Sequence, residues 1–109
     1  METSQIEKGN VLNLLDAINF ADKSIVSKQI IKSSGGNVTL FAFDQNEGLI
    51  EHTAPFDALA IVIEGSSEII IDKKTKIVNK GDFIIMPANI PHSLKAIQKF
   101  KMLLIMIKN

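Results

Sequence analysis

Two side chains in this sequence have the chemistry to bind a metal ion or to move a proton near neutral pH. They are His52 and His92, and they stand 40 residues apart. Each lies beside turn-forming residues at the margin of a strand-like stretch. Their neutral imidazoles are ordinary ligands for a divalent cation, and either could act as a general base against a nearby carboxylate. The chain has no Cys, which excludes disulfides, thiolate metal sites and a cysteine nucleophile. It also has no Arg, so the side chain best suited to bidentate clamping of phosphate or carboxylate is missing.

The elements that must position these histidines are β-strands. Apolar residues make up 46% of the 109-residue chain, enough for one packed core and one domain. Nine short runs read as strands: Ile25–Lys32, Asn37–Asp44, Leu49–His52, Ala58–Glu64, Glu68–Asp72, Lys76–Asn79, Asp82–Met86, Ser93–Ile97 and Phe100–Lys108. Turn residues separate them, among them Gly35-Gly36, Asn46-Glu47-Gly48, Gly65-Ser66 and Lys80-Gly81. Many short strands with regular turns predict a sandwich or closed barrel of the all-β class. Before them, Val11, Leu14, Leu15 and Ile18 have helical spacing, so a short helix is expected within an N-terminal segment 1–24, ahead of a single barrel domain at 25–109.

Two strands are apolar on both faces. In the first, Leu59, Ile61 and Ile63 oppose Ala58, Ala60 and Val62; in the last, Leu103, Ile105 and Ile107 oppose Met102, Leu104 and Met106. One face can line the barrel interior. The other needs a second layer or a second subunit, so a homodimer is expected. In Ser93–Ile97, by contrast, Ser93 and Lys95 make a wet face opposite Leu94 and Ala96.

Twelve Lys balance twelve Asp and Glu, and a net charge of zero favours neither nucleic acid nor an anionic membrane as partner. No apolar run is long enough for a membrane-spanning helix. Met1 to Asn10 is polar and carries two Glu, unlike a secretory signal, so a cytoplasmic location is expected.

The contexts of the two histidines resemble the cupin family, over roughly residues 37 to 107. The family's second motif, Gly-x5-Pro-x-Gly-x2-His-x3-Asn, is similar to Gly81-Asp-Phe-Ile-Ile-Met-Pro87-Ala-Asn89-Ile-Pro-His92, with Asn89 in the place of a Gly. Asn tolerates positive φ, so the turn can survive there. In the first motif, Gly-x5-His-x-His-x3–4-Glu-x6-Gly, His52 takes the leading His position and Gly65 the closing Gly. The second His falls on Ala54, the Glu on Ala58, and the Asn that closes the second motif on Ala96.

The resemblance implies a jelly-roll barrel, also called a double-stranded β-helix, with both imidazoles pointing inward and close together. It also implies a metal site of three His and one Glu, of which this chain supplies only His52 and His92. Such a degenerate site would hold a divalent metal (Zn, Ni, Fe or Mn) weakly. Ala54, Ala58, Ala60, Met86, Phe41, Phe43 and Met102 are expected to line the pocket or pack around it. Binding of a small molecule in the barrel is the leading functional expectation. The alternatives are a metal-dependent dioxygenase or isomerase with an incomplete site, or a metal-free isomerase. The last would resemble sugar epimerases that set a His against an Asp, here Asp57. Asp57 and Glu51 each lie next to an inward position, and strand alternation points such neighbours outward.

Overall fold

The computed structural model describes residues 6–108. Residues 1–5 and Asn109, the outermost parts of the two expected segments, lie outside the described residues. Nine strands form: β1 (Ile25–Ser33), β2 (Gly36–Phe43), β3 (Gly48–His52), β4 (Phe56–Glu64), β5 (Ser66–Ile71), β6 (Lys74–Asn79), β7 (Phe83–Met86), β8 (His92–Ala96) and β9 (Phe100–Lys108). They build two antiparallel sheets, one in the order β1-β2-β9-β4-β7 and the other in the order β3-β8-β5-β6. This is the jelly-roll arrangement. Each of the nine runs read from the sequence overlaps one of these strands.

The core lies between the sheets, and strand alternation decides what enters it. From β4 come Ala58, Ala60 and Val62; from β9 come Phe100, Met102 and Leu104; from β8 come Leu94 and Ala96. Phe43 and Phe100 are cross-strand partners and stack with ring centroids 4.5 Å apart and planes 9° from parallel. Both are fully buried. Each such ring contributes about 2–3 kcal/mol by leaving water.

The turns follow the residue types available for positive φ. Asn89, in the Gly place of the second motif, adopts φ 65°. Gly65 has φ 78°, and a Cβ there would run into the Lys99 carbonyl and Phe100 Cα. Only glycine fits that approach.

The helix expected within Val11–Phe20 does not form. Turns occupy residues 14–17, and the Asn13 carboxamide oxygen accepts the Asp16 N–H at 3.1 Å, a cap-like bond that no helix continues. Two backbone carbonyls there are taken by lysines of the sheet. Lys101 Nζ donates to Leu15 O at 2.7 Å, and Lys28 Nζ to Ala17 O at 3.0 Å. A segment this short gains little from helix formation alone, so those tertiary contacts decide its shape. Its apolar residues divide accordingly. Ile18 is buried against Leu40 and Ala42 on the outer side of the five-stranded sheet, while Val11, Leu12, Leu14 and Leu15 stay exposed. Lys99 and Lys101 both lie over the Phe20 ring, at 5.5 and 5.1 Å from its centroid.

Candidate functional site

Strand direction sorts the barrel interior into two ends. β3 finishes at His52 and β8 starts at His92, so both histidines sit at the end where β4 begins and β7 finishes. Regular alternation from Leu49 would send His52 outward. A bulge in β3 prevents this. Leu49 pairs with Leu94, yet His52 rather than Glu51 pairs with His92, so β3 carries one extra residue between the two pairs. Leu49 and His52 therefore share the inner face of the sheet. The two rings meet edge to face with centroids 4.4 Å apart. His92 is buried, and His52 stands at the rim.

The two rings are held in the same way. His52 Nδ1 lies 2.9 Å from Ile50 O, and His92 Nδ1 lies 3.1 Å from Ile90 O. A carbonyl oxygen can only accept, so in each neutral ring the proton is on Nδ1 and the lone pair on Nε2. This backbone bond is the kind that commonly orients a metal-ligating histidine. Among the described residues neither Nε2 has a hydrogen-bond partner, and no unpaired side-chain nitrogen or oxygen is sealed from solvent.

The remaining donors of a full metal site are missing. Ala58 is buried on the inner face of β4. Ala54 is half-buried in the link between β3 and β4, where its carbonyl accepts the Asn89 N–H at 2.7 Å. That bond ties the link to the loop leading into His92. Neither acidic neighbour substitutes. The Asp57 carboxylate is exposed and accepts the Ala88 N–H at 2.9 Å. Glu51 is exposed and lines a cleft on the outer side of the four-stranded sheet. Among the described residues, no three His, Asp or Glu side chains come together as a metal cluster. The donor set fits two coordination positions of a cation and leaves the others to water or ligand. The His–Asp pairing with Asp57 is not formed.

The other residues singled out from the sequence fall as follows. Ala60, Phe43 and Met102 are buried in the core, and Phe41 packs against it. Met86 is buried and pairs with Ala58, beside the histidine end. None of these residues lines the open cleft of about 470 Å³ between β6 and β7, whose walls include Ile71, Lys74, Ile84 and Ile90.

Two further residues belong with the histidine end. Asn37 and Thr39 are cross-strand partners of Met106 and Leu104, so they face inward, and Met106 also pairs with Ala58. Thr39 Oγ1 donates to Asn37 Oδ1 at 3.4 Å. The signal for them was present in β2. Its inward positions, Asn37, Thr39, Phe41 and Phe43, run from polar to aromatic, while Val38, Leu40 and Ala42 face the other way.

Residues 39–108 match the family model for the cupin domain. A conserved protein of unknown function from Streptococcus pyogenes superposes with a TM-score of 0.91 at 33% identity, covering 100% of this chain and 96% of that one. A cupin 2 conserved barrel domain protein from Leptotrichia buccalis gives 0.86 at 38% identity, with 89% of this chain matching 47% of the larger one. A cupin superfamily protein from Desulfitobacterium hafniense shares the fold over 100% of both chains, with a TM-score of 0.89 at 22% identity. No curated protein matches the chain. No helix among the described residues is long and apolar enough to cross a membrane.

Proposed function

The chain belongs to the cupin domain family, and on that footing we propose that it is a small-molecule-binding cupin of the cytoplasm. Its histidine pair forms a degenerate metal site, able to take a divalent cation weakly. The observation that carries this reading is the pair itself. Two imidazoles lie 4.4 Å apart, each with Nδ1 engaged by a backbone carbonyl, with Ala54 and Ala58 where the family's other two ligands would stand. Two neutral nitrogen donors suit Zn or Ni better than Fe or Mn, which favour carboxylate oxygen. The polar inner face contributed by Asn37 and Thr39 supports a ligand with hydrogen-bonding groups at this end of the barrel.

Calorimetric titration with Ni and Zn at neutral pH tests the metal half of the proposal. Weak or absent heat from the wild type is expected, and tight binding from the double variant Ala54→His/Ala58→Glu, whose ligand set is complete. Tight stoichiometric binding by the wild type would overturn the degenerate-site reading. A thermal-shift screen of sugars, small acids and aromatic compounds tests the ligand half. A hit that persists in His52→Ala/His92→Ala would place the ligand elsewhere.

A further inference from the structure

Two methionines stand on the inner face of the five-stranded sheet at the histidine end. Ala58 of β4 has Met86 of β7 as its cross-strand partner on one side and Met106 of β9 on the other, so the three make one row. Ala58 takes the place of the family's Glu ligand, and a thioether therefore flanks that place on each side. Met86 is buried, and Met106 is partly buried against the same core. The chain ties this row to the imidazoles. Met86 ends β7 and His92 starts β8, so residues 87–91 alone join them across the two sheets. Facing sheets pack about 10 Å apart, and an extended methionine or an imidazole each spans about half of that gap.

The donors offered at this end are of one kind. Imidazole nitrogen and thioether sulfur are both uncharged, and the sulfur is soft and polarisable. Both Nδ1 atoms are engaged by backbone carbonyls, which leaves the two Nε2 lone pairs to bind. Neither Asp57 nor Glu51 adds a carboxylate, since both are exposed. The cost of burying an ion rises with the square of its charge, so without a carboxylate a divalent cation meets about four times the penalty of a monovalent one. Thioether ligands select Cu(I), which needs no anionic partner and accepts low coordination numbers. The unbranched methionine side chain can swing to meet it, as a branched one could not.

We propose that His52, His92, Met86 and Met106 form a binding site for a soft monovalent metal ion, Cu(I), held by the two Nε2 atoms and the two thioethers. The proposal rests on the reading of the histidine pair as a metal site and deepens it: the donor set that is poor for a divalent ion is suited to a monovalent one. Packing alone would be served equally well by leucine at positions 86 and 106, and that contrast is the test.

Under anaerobic conditions the purified full chain is titrated into the coloured Cu(I)–bicinchoninate complex, and fading reads transfer of copper to the protein. Uptake of a single equivalent by the wild type is expected. Met86→Leu and Met106→Leu keep the core volume and remove only the sulfur. Each should weaken Cu(I) affinity by at least the roughly tenfold that loss of an outer-shell partner costs a metal site, with circular dichroism spectra unchanged. X-ray absorption of the copper-loaded wild type should show both nitrogen and sulfur in the first shell. A wild type that takes no Cu(I) from the chelator overturns the proposal, and so does a shell of nitrogen alone or full affinity in both Leu variants. In those cases tight Ni binding by Ala54→His/Ala58→Glu would leave the degenerate-site reading standing. Cu(I) binding that survives in His52→Ala/His92→Ala overturns the proposal as well, by assigning the copper to methionine sulfur away from the histidines.

Discussion

Along β2 the inward side chains change from Asn37 and Thr39 to Phe41 and Phe43, and the two ends of the barrel interior follow that gradient. At the aromatic end, Phe43 stacks on Phe100, Ser67 is fully buried, and Gly65 brings its backbone hard against Lys99 and Phe100. At the polar end, two imidazoles share a rim with alanines, and their Nε2 atoms have no partner among the described residues. The first end is filled, with its donors and acceptors used within the protein. The second leaves two imidazole nitrogens without a partner among the described residues. The difference teaches where this fold puts its stability and where it leaves polar groups unused.

The comparison can be tested from its strongest arm downward. Phe43→Ala or Phe100→Ala removes one half of the buried stack and should cost about 3–5 kcal/mol in urea unfolding. His92→Ala, at the other end, should cost only about 1 kcal/mol. Equal losses would show that folding depends on the histidine end as heavily as on the aromatic one. Next in size is the gain from Ala54→His/Ala58→Glu. Ni or Zn affinity should rise at least about 100-fold over wild type. A folded double variant that binds no better would remove Ala54 and Ala58 from the ligand positions assigned to them.

Gly65→Ala probes the closed end through the backbone. Its positive φ and the Lys99 carbonyl in the path of a Cβ predict a loss of about 1–3 kcal/mol, read as a lowered thermal midpoint. A neutral result would mean that the β4–β5 turn relaxes freely.

The smallest effect concerns Asp44, in the loop that follows Phe43. The backbone N–H groups of Lys23 and Gln45 donate to its two carboxylate oxygens, at 2.7 and 2.8 Å, and hold its pKa below 3.8. A depressed carboxylate stabilises the fold above its unfolded pKa, and that contribution is lost as pH falls through the folded value. Asp44→Asn should therefore flatten the decline in urea midpoint on going from about pH 5 to about pH 3. An unchanged slope would locate the acid sensitivity elsewhere.

Sequence alone was sufficient for the strands and the all-β class, and the resemblance to the cupin motifs supplied the jelly-roll and the place of the turn at Asn89. Period-two alternation and the φ tolerance of Gly and Asn are local properties, and they act the same way wherever the strand ends up. The two faces of β4, β8 and β9 were legible for that reason, while which face of β9 lines the interior was left to the fold. Three features were decided only by tertiary structure. The bulge between Leu49 and His52 turns His52 towards His92, because β3 must stay in register with β8 at both ends of an uneven stretch. Asp57 accepts the Ala88 N–H, a bond between segments 31 residues apart, and makes no hydrogen bond to His52. The spacing of Val11–Ile18 suits a helix, but Lys28 and Lys101 fix the segment to the sheet through the Ala17 and Leu15 carbonyls, and the sheet gives Ile18 a better burial than an isolated turn could. In each case a contact made across the fold outweighs a preference set by neighbours in the chain. A local preference is worth only tenths of a kcal/mol per residue, whereas a buried side chain or a satisfied buried donor is worth about 1 kcal/mol or more.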